Sequence, residues 1–210
     1  MEIKERILLK AEALFWKFGT RSITMDDISR DIGISKKTLY QHFTDKDDIV
    51  YQVMHYRLEK NRENVSCYMA TARDPIEEIL LASEMMRQHL AEMNPALWID
   101  VQRHYPRAWE VCTEFKEKFL LESIRNNLKR GIEQALYRPE IDVEIMARLR
   151  MELIRMAFDT DVFPRGVTAM IEVQIQLLHH FVRGILTEKG ILIYNQYVKE
   201  HQNDPASTTL

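Results

Sequence analysis

A short polar run between positions 36 and 46 carries the side chains with the clearest chemical potential. Lys36, Lys37 and Gln41 fall within one short segment, and Lys46 follows a few residues later. Lysine can donate to O6 and N7 of guanine, and glutamine can pair with N6 and N7 of adenine. We therefore predict that Lys36, Lys37 and Gln41 read DNA bases.

Lys46 is informative because of its position. Thr44-Asp45 predicts the end of one helix and the start of the next, which places Lys46 in a first helical turn. The helix dipole disfavours a cation there, whereas a nearby phosphate would reverse the sign of that argument. Phosphate contacts position a protein on DNA and make its affinity salt dependent without reading sequence. We predict such contacts for Thr24, Thr38, Tyr40, His42 and Lys46.

The elements that must position these side chains are three short helices. The first runs from about Glu2 to Phe18 and ends at Gly19, with Ile7, Ala11, Leu14, Phe15 and Phe18 on its apolar face. Thr24 caps a second helix that ends at Gly33, and its free N–H groups form an anion site. Ser35 caps a third helix, from Lys36 to about Phe43. The last two helices and their turn have the form of a helix-turn-helix that enters a major groove.

The rest of the chain predicts longer helices and no strand. The predicted helices cover about 46–71, 75–93, a short piece before Pro106, a stretch to about Tyr137, 142–158 and 167–188, with Gly190 after the last. The fold class is therefore all-α with about nine helices. We expect a DNA-binding domain over 1–45, a larger helical domain over 46–198 that binds a ligand and dimerises, and a flexible tail over 199–210.

The N-terminal motif resembles the TetR family of transcriptional regulators over about residues 7 to 55. The run from Thr38 to Phe43, Thr-Leu-Tyr-Gln-His-Phe, followed three positions later by Lys46, is a specific signature. Lys37 stands where the family often has a small residue, and Ser29 where it usually has Ala. Because of Lys37, a family-average operator is a poor guide to the sequence that this chain reads.

The resemblance implies a helical body that dimerises and binds an inducer. We expect a homodimer through helices 142–158 and 167–188, which matches a palindromic operator. An unknown apolar small molecule would bind between the middle helices, in a pocket lined by methionine and aromatic side chains. The predicted lining residues are Met86, Leu90, Trp98, Tyr105, Trp109, Phe115 and Phe119. The implied function is a repressor that a small-molecule inducer releases from its operator.

Composition narrows the alternatives. The net charge is -3, and residues 1–50 hold nine Lys/Arg and nine Asp/Glu, which argues against a non-specific architectural DNA binder. Cys67 and Cys112 form no close pair, and no apolar run is long enough to span a membrane, so we expect a cytoplasmic protein without metal or cofactor. A regulator without an inducer, or an all-α enzyme, stays an alternative. Ordinary packing or solvation stays an alternative for each candidate residue.

Overall fold

The computed structural model describes residues 2–91, 94, 96–159, 161–164 and 170–202. These residues confirm the all-α prediction, and a single bridge between Tyr137 and Leu186 is their one β-type pairing. The helices are α1 (Ile3–Phe18), α2 (Met25–Ile32), α3 (Lys36–His42), α4 (Lys46–Thr71), α5 (Pro75–Ala91), α6 (Ala96–His104), α7 (Pro106–Glu114), a π-helical segment (Phe115–Leu120), α8 (Leu121–Glu133), α9 (Val143–Met156), α10 (Met170–Ile185) and α11 (Glu188–Gln202).

The chain divides into two compact units. The N-terminal unit contains residues 1–64 and 92–118, and the C-terminal unit contains residues 65–91 and 119–210. Thus α6 and α7 belong to the same unit as the helix-turn-helix. Long-range packing of this kind carries no local sequence signal. The predicted functional boundary between residues 45 and 46 stays a prediction.

The first helix buries one narrow stripe. Ile7, Ala11 and Phe15 are spaced four residues apart and are almost fully buried, as expected for one face of a 3.6-residue helix. The prediction that Phe18 belongs to this face is wrong, because its side chain is 48% exposed. Gly19 follows with φ 79° and donates its N–H to the Phe15 carbonyl, which confirms the predicted stop.

The C-terminal half has more helices than the sequence predicted. The stretch predicted as one helix to Tyr137 is interrupted by the π-helical segment and ends at Glu133. Gly190 does not mark the end of the helical region, because it lies inside α11, which includes residues 199–202 of the predicted tail. None of the described helices combines the length and the hydropathy needed to cross a membrane.

Gly131 in α8 lies in close contact with Tyr137, which follows in the loop after α8. A Cβ on Gly131 would lie 2.0 Å from the Tyr137 ring, so glycine is needed for the ring to enter. The Tyr137 hydroxyl donates to the Asn127 side chain at 3.0 Å, and Asn127 donates to the Pro75 carbonyl at 2.9 Å. The tyrosine is fully buried and therefore ties α8 to the first turn of α5 with its polar atoms satisfied.

Candidate nucleic-acid interface

The second helix begins with a reciprocal cap. The Thr24 hydroxyl accepts a hydrogen bond from the Asp27 N–H at 3.2 Å, and the Asp27 carboxylate accepts from the Thr24 N–H at 2.9 Å. The same hydroxyl donates to the Asp27 carboxylate at 2.6 Å. These bonds from Thr24 lower the pKa of Asp27. A carboxylate thus already lies at the anion site predicted for this helix start, and a phosphate contact by Thr24 stays a prediction.

The third helix presents one polar face to solvent. Ser35 caps it by accepting the Thr38 N–H at 3.0 Å. Lys36, Lys37, Tyr40 and Gln41 are all exposed. At about 100° per residue, these four positions span an arc of about 140°. The structure therefore brings the three predicted base readers and Tyr40 onto one surface.

The exposed fraction of each side chain in α3 shows which residues pack against the core and which are accessible to DNA. Leu39 is fully buried on the opposite side, whereas Tyr40 is 51% exposed, so Tyr40 is not a core aromatic. Lys36 forms an ion pair with Asp26 at 2.5 Å. Among the described residues Lys37 makes no ion pair, which leaves its ammonium group available to an outside acceptor.

The two remaining phosphate candidates of α3 lie outside this face. Thr38 and His42 are half-buried, about 60° and 100° beyond Gln41 around the helix axis. The Thr38 hydroxyl shares a hydrogen bond of 2.9 Å with the Ser35 hydroxyl. Phosphate contacts by Thr38 and His42 stay predictions.

Lys46 has carboxylate neighbours that the sequence did not reveal. Partial burial lowers the pKa of Lys46, and the charges of Asp100 and Asp27 oppose that shift. The helix dipole disfavours a cation at this position, and the charges of Asp100 and Asp27 favour one. A lysine here therefore has a structural explanation beside the phosphate contact, which stays a prediction.

Asp100 also joins α6 to the turn after α1. Its carboxylate accepts from the Thr20 hydroxyl and from the Arg21 N–H, each at 3.4 Å. Tyr105 is buried nearby, and burial raises the pKa of its hydroxyl. Sequence reasoning missed Asp100, because a single acid within a helix gives no sign of the loop that it contacts.

Comparison with known proteins agrees with this geometry. Residues 7–53 match the family described as "Bacterial regulatory proteins, tetR family". The likeness to the tetR family thus lies in the N-terminal domain that holds the helix-turn-helix. An HTH-type transcriptional regulator of Staphylococcus aureus strain USA300 is 40% identical over 58 residues. That alignment covers 28% of this chain and 31% of the relative, so the chain matches about a third of the relative's length.

Solved structures extend the likeness in fold to most of the chain. A TetR-family transcriptional regulator from Agrobacterium tumefaciens has a TM-score of 0.72 and 19% identity, covering 88% of this chain and 97% of that one. A protein from Saccharomonospora viridis, solved in complex with choline, has a TM-score of 0.75 and 18% identity, covering 88% and 98%. The matched relatives are regulators and not enzymes.

The two departures from the tetR pattern have different structural consequences. Ser29 is buried, and its hydroxyl donates to the Asp26 carbonyl at 3.0 Å. The hydroxyl that serine adds here, relative to alanine, is thus hydrogen-bonded within α2. Lys37 is exposed on the polar face of α3, where a long cation changes what the face can contact.

The predicted pocket residues fall in both units. Trp98, Tyr105, Trp109 and Phe115 belong to the N-terminal unit, and Met86 and Phe119 to the C-terminal unit. The side chain of Leu90 lies outside the described residues. A cavity within the C-terminal unit, between α5, α9 and α10, is lined by Met86 among the predicted seven. The other assignments stay predictions.

Proposed function

We propose that this chain is a cytoplasmic transcriptional repressor that binds a palindromic operator as a homodimer and is released by a small molecule. The observation that carries the DNA-binding part is the exposed face of α3 within the domain that matches the tetR family. Its lysines and glutamine can donate to base edges, while Tyr40 and Lys46 supply phosphate contacts. The balanced charge of the domain favours a specific reader over a general polyanion binder.

The dimer proposal is supported by apolar side chains on α9. Ile145 is 60% exposed and Leu149 is 43% exposed, one helical turn apart. Such a pair on the surface favours contact with a second copy of the chain, here through α9 and α10. Replacing both Ile145 and Leu149 by Asp should shift the mass measured by light scattering from dimer to monomer.

The induction proposal is supported by the position of Asp100. Because Asp100 on α6 contacts the turn after α1 and acts on Lys46, a shift of α6 would alter the reading domain. A ligand drives such a shift only by binding one state more tightly than the other. A protein of similar fold is known in complex with choline, which supports the idea that this fold accepts small molecules.

Selection of bound sequences from random double-stranded DNA tests the DNA-binding part. We expect a two-fold symmetric consensus from the wild-type protein. A matched selection with Lys37→Ala should return a consensus changed at one position in each half-site. Binding without any enriched sequence would refute the proposal. Transcription from the selected operator in a reporter strain, with and without the protein, distinguishes repression from activation.

A further inference from the structure

Arg150 is a buried cation that forms no ion pair among the described residues. It lies on α9 and is only 7% exposed. Its Nη1 atom is buried and has no hydrogen-bond partner among the described residues. The ring of Phe181 makes a cation–π contact, with its centroid 5.9 Å from the guanidinium carbon. Burial alone lowers the pKa of Arg150 to about 10, so the side chain still carries its charge at neutral pH.

This arrangement is costly for the protein without a ligand. Buried charges in proteins are normally paired and hydrogen-bonded, and removing a partner from a buried pair is strongly destabilising. A cation–π contact at the edge of its range offsets only part of that cost. The position therefore calls for an anion from outside the described residues.

Arg150 is one of the residues that line a cavity between α5, α9 and α10. The other charged residues there are Arg87 and Glu84, and they form an ion pair with each other. Gln174 donates its amide to the Ile154 carbonyl at 2.9 Å. Among the described residues that line the cavity, the one positive charge without an ion pair therefore belongs to Arg150.

We propose that Arg150 anchors the anionic head of a small-molecule ligand in this cavity, and that the ligand is a carboxylate with an apolar body. A planar guanidinium binds a carboxylate through two parallel hydrogen bonds. A single net charge suits a monoanion, and Glu84 at the same cavity disfavours the second charge of a phosphate monoester. Met86, Ile175 and Leu178 line the remaining wall and suit an apolar body.

The enclosed space beside Arg150 is about 20 Å³, which holds about one water molecule. A carboxylate with a longer body therefore binds only if α5 and α10 move apart. Binding then has a conformational consequence within the C-terminal unit. The role of this ligand as an inducer rests on the proposed function, whereas the anion site itself does not.

Thermal unfolding of the full-length protein tests the site without DNA. The probes are straight-chain carboxylates from formate to palmitate, each beside its methyl ester and its primary alcohol, at constant ionic strength. We expect at least one carboxylate to raise the unfolding midpoint of the wild type, while its ester and alcohol do not. Arg150→Met should weaken that carboxylate at least about tenfold, as expected for loss of a hydrogen bond to a charged group.

The variants distinguish an anchor from a structural residue. Arg150→Met without ligand should unfold at the wild-type temperature or above it, because it removes an unpaired buried charge. Arg150→Lys should retain weaker binding, since it keeps the charge and loses the two-pronged geometry. Arg148→Met, an exposed neighbour on α9 that pairs with Glu144, is the matched control and should bind as the wild type does.

Three results would overturn the anion site. In the first, esters raise the unfolding midpoint as much as the acids do. In the second, the carboxylates raise the midpoint of Arg150→Met as much as that of the wild type. In the third, no carboxylate raises the midpoint of the wild type more than that of Arg150→Met. A lower unfolding midpoint of Arg150→Met without ligand would also count against it, since it would reveal a partner within the protein. Failure of DNA selection would refute the proposed function and leave these outcomes unaffected.

Discussion

The salt dependence of DNA binding tests the role of Lys46. Each phosphate that a protein neutralises contributes about 0.9 to the slope of log K against log salt concentration. Lys46→Ala should lower the magnitude of that slope by about 0.9 for each DNA-binding domain, or by about 1.8 for a dimer. Between 50 and 200 mM salt, the wild type should therefore lose about 12-fold more affinity than the variant does.

The neighbours of Lys46 provide the controls. Asp100→Asn removes a carboxylate that acts on Lys46 and leaves the number of phosphate-contacting cations unchanged. We expect tighter binding at every salt concentration with the wild-type slope. Lys60→Ala removes the same charge from the same helix, about 21 Å further along its axis. At that distance salt screens its effect, so the slope should stay at the wild-type value.

Fluorescence anisotropy with a labelled duplex of the selected operator, titrated at four or more salt concentrations, gives these slopes. An unchanged slope in Lys46→Ala would refute the phosphate contact. Lys46 would then serve only to balance Asp27 and Asp100, and the variant should show a lower thermal midpoint in place of a changed slope.

Three further predictions follow from single contacts. Lys37→Ala should change the base preferred at one operator position while the salt slope falls by no more than about 1 per DNA-binding domain, measured by competition with single-base operator variants. Thr24→Ala should cost about 1 kcal/mol of unfolding free energy, because it removes the cap of α2. In the folded protein the pKa of Asp27 lies below 3.8. The stabilisation that its ionised carboxylate gives is therefore present above pH 3.8 and is lost as the pH falls through the lowered pKa. In that acidic range, urea unfolding should show a smaller difference in unfolding free energy between the wild type and Thr24→Ala. Gly131→Ala should cost about 1–3 kcal/mol or more, since its Cβ would overlap the Tyr137 ring.

Each of these has its own control. Gly184→Ala is the counterpart of Gly131→Ala, because a Cβ there meets nothing within 4 Å; equal effects at the two glycines would contradict the packing argument. An Asp27→Asn variant with the same acid sensitivity as the wild type would exclude Asp27 as the titrating group. An unaltered base preference in Lys37→Ala would remove that lysine from the reading set.

The N-terminal helices were predictable because their signals are local. Thr24, Ser35 and Gly33 act through hydrogen bonds to residues three or four positions away, so each cap or stop lies in sequence beside the helix that it bounds. The exposed face of α3 likewise follows from helical spacing alone. The prediction for Phe18 was wrong because helical spacing places a residue on a face of its own helix but does not show whether another element covers that position; Phe18 is 48% exposed.

The sequence by itself determined that the chain is helical, where the reading helix begins and ends, and which side chains share its exposed face. The tertiary structure decided which charges lack partners. Asp100 is 54 positions from Lys46 along the chain, yet it acts on the same ammonium group, whereas Arg150 has several acids near it in sequence and pairs with none among the described residues. The physical reason is that caps and helical faces depend on separations of a few residues, while the pairing of a charge depends on distance in the folded protein.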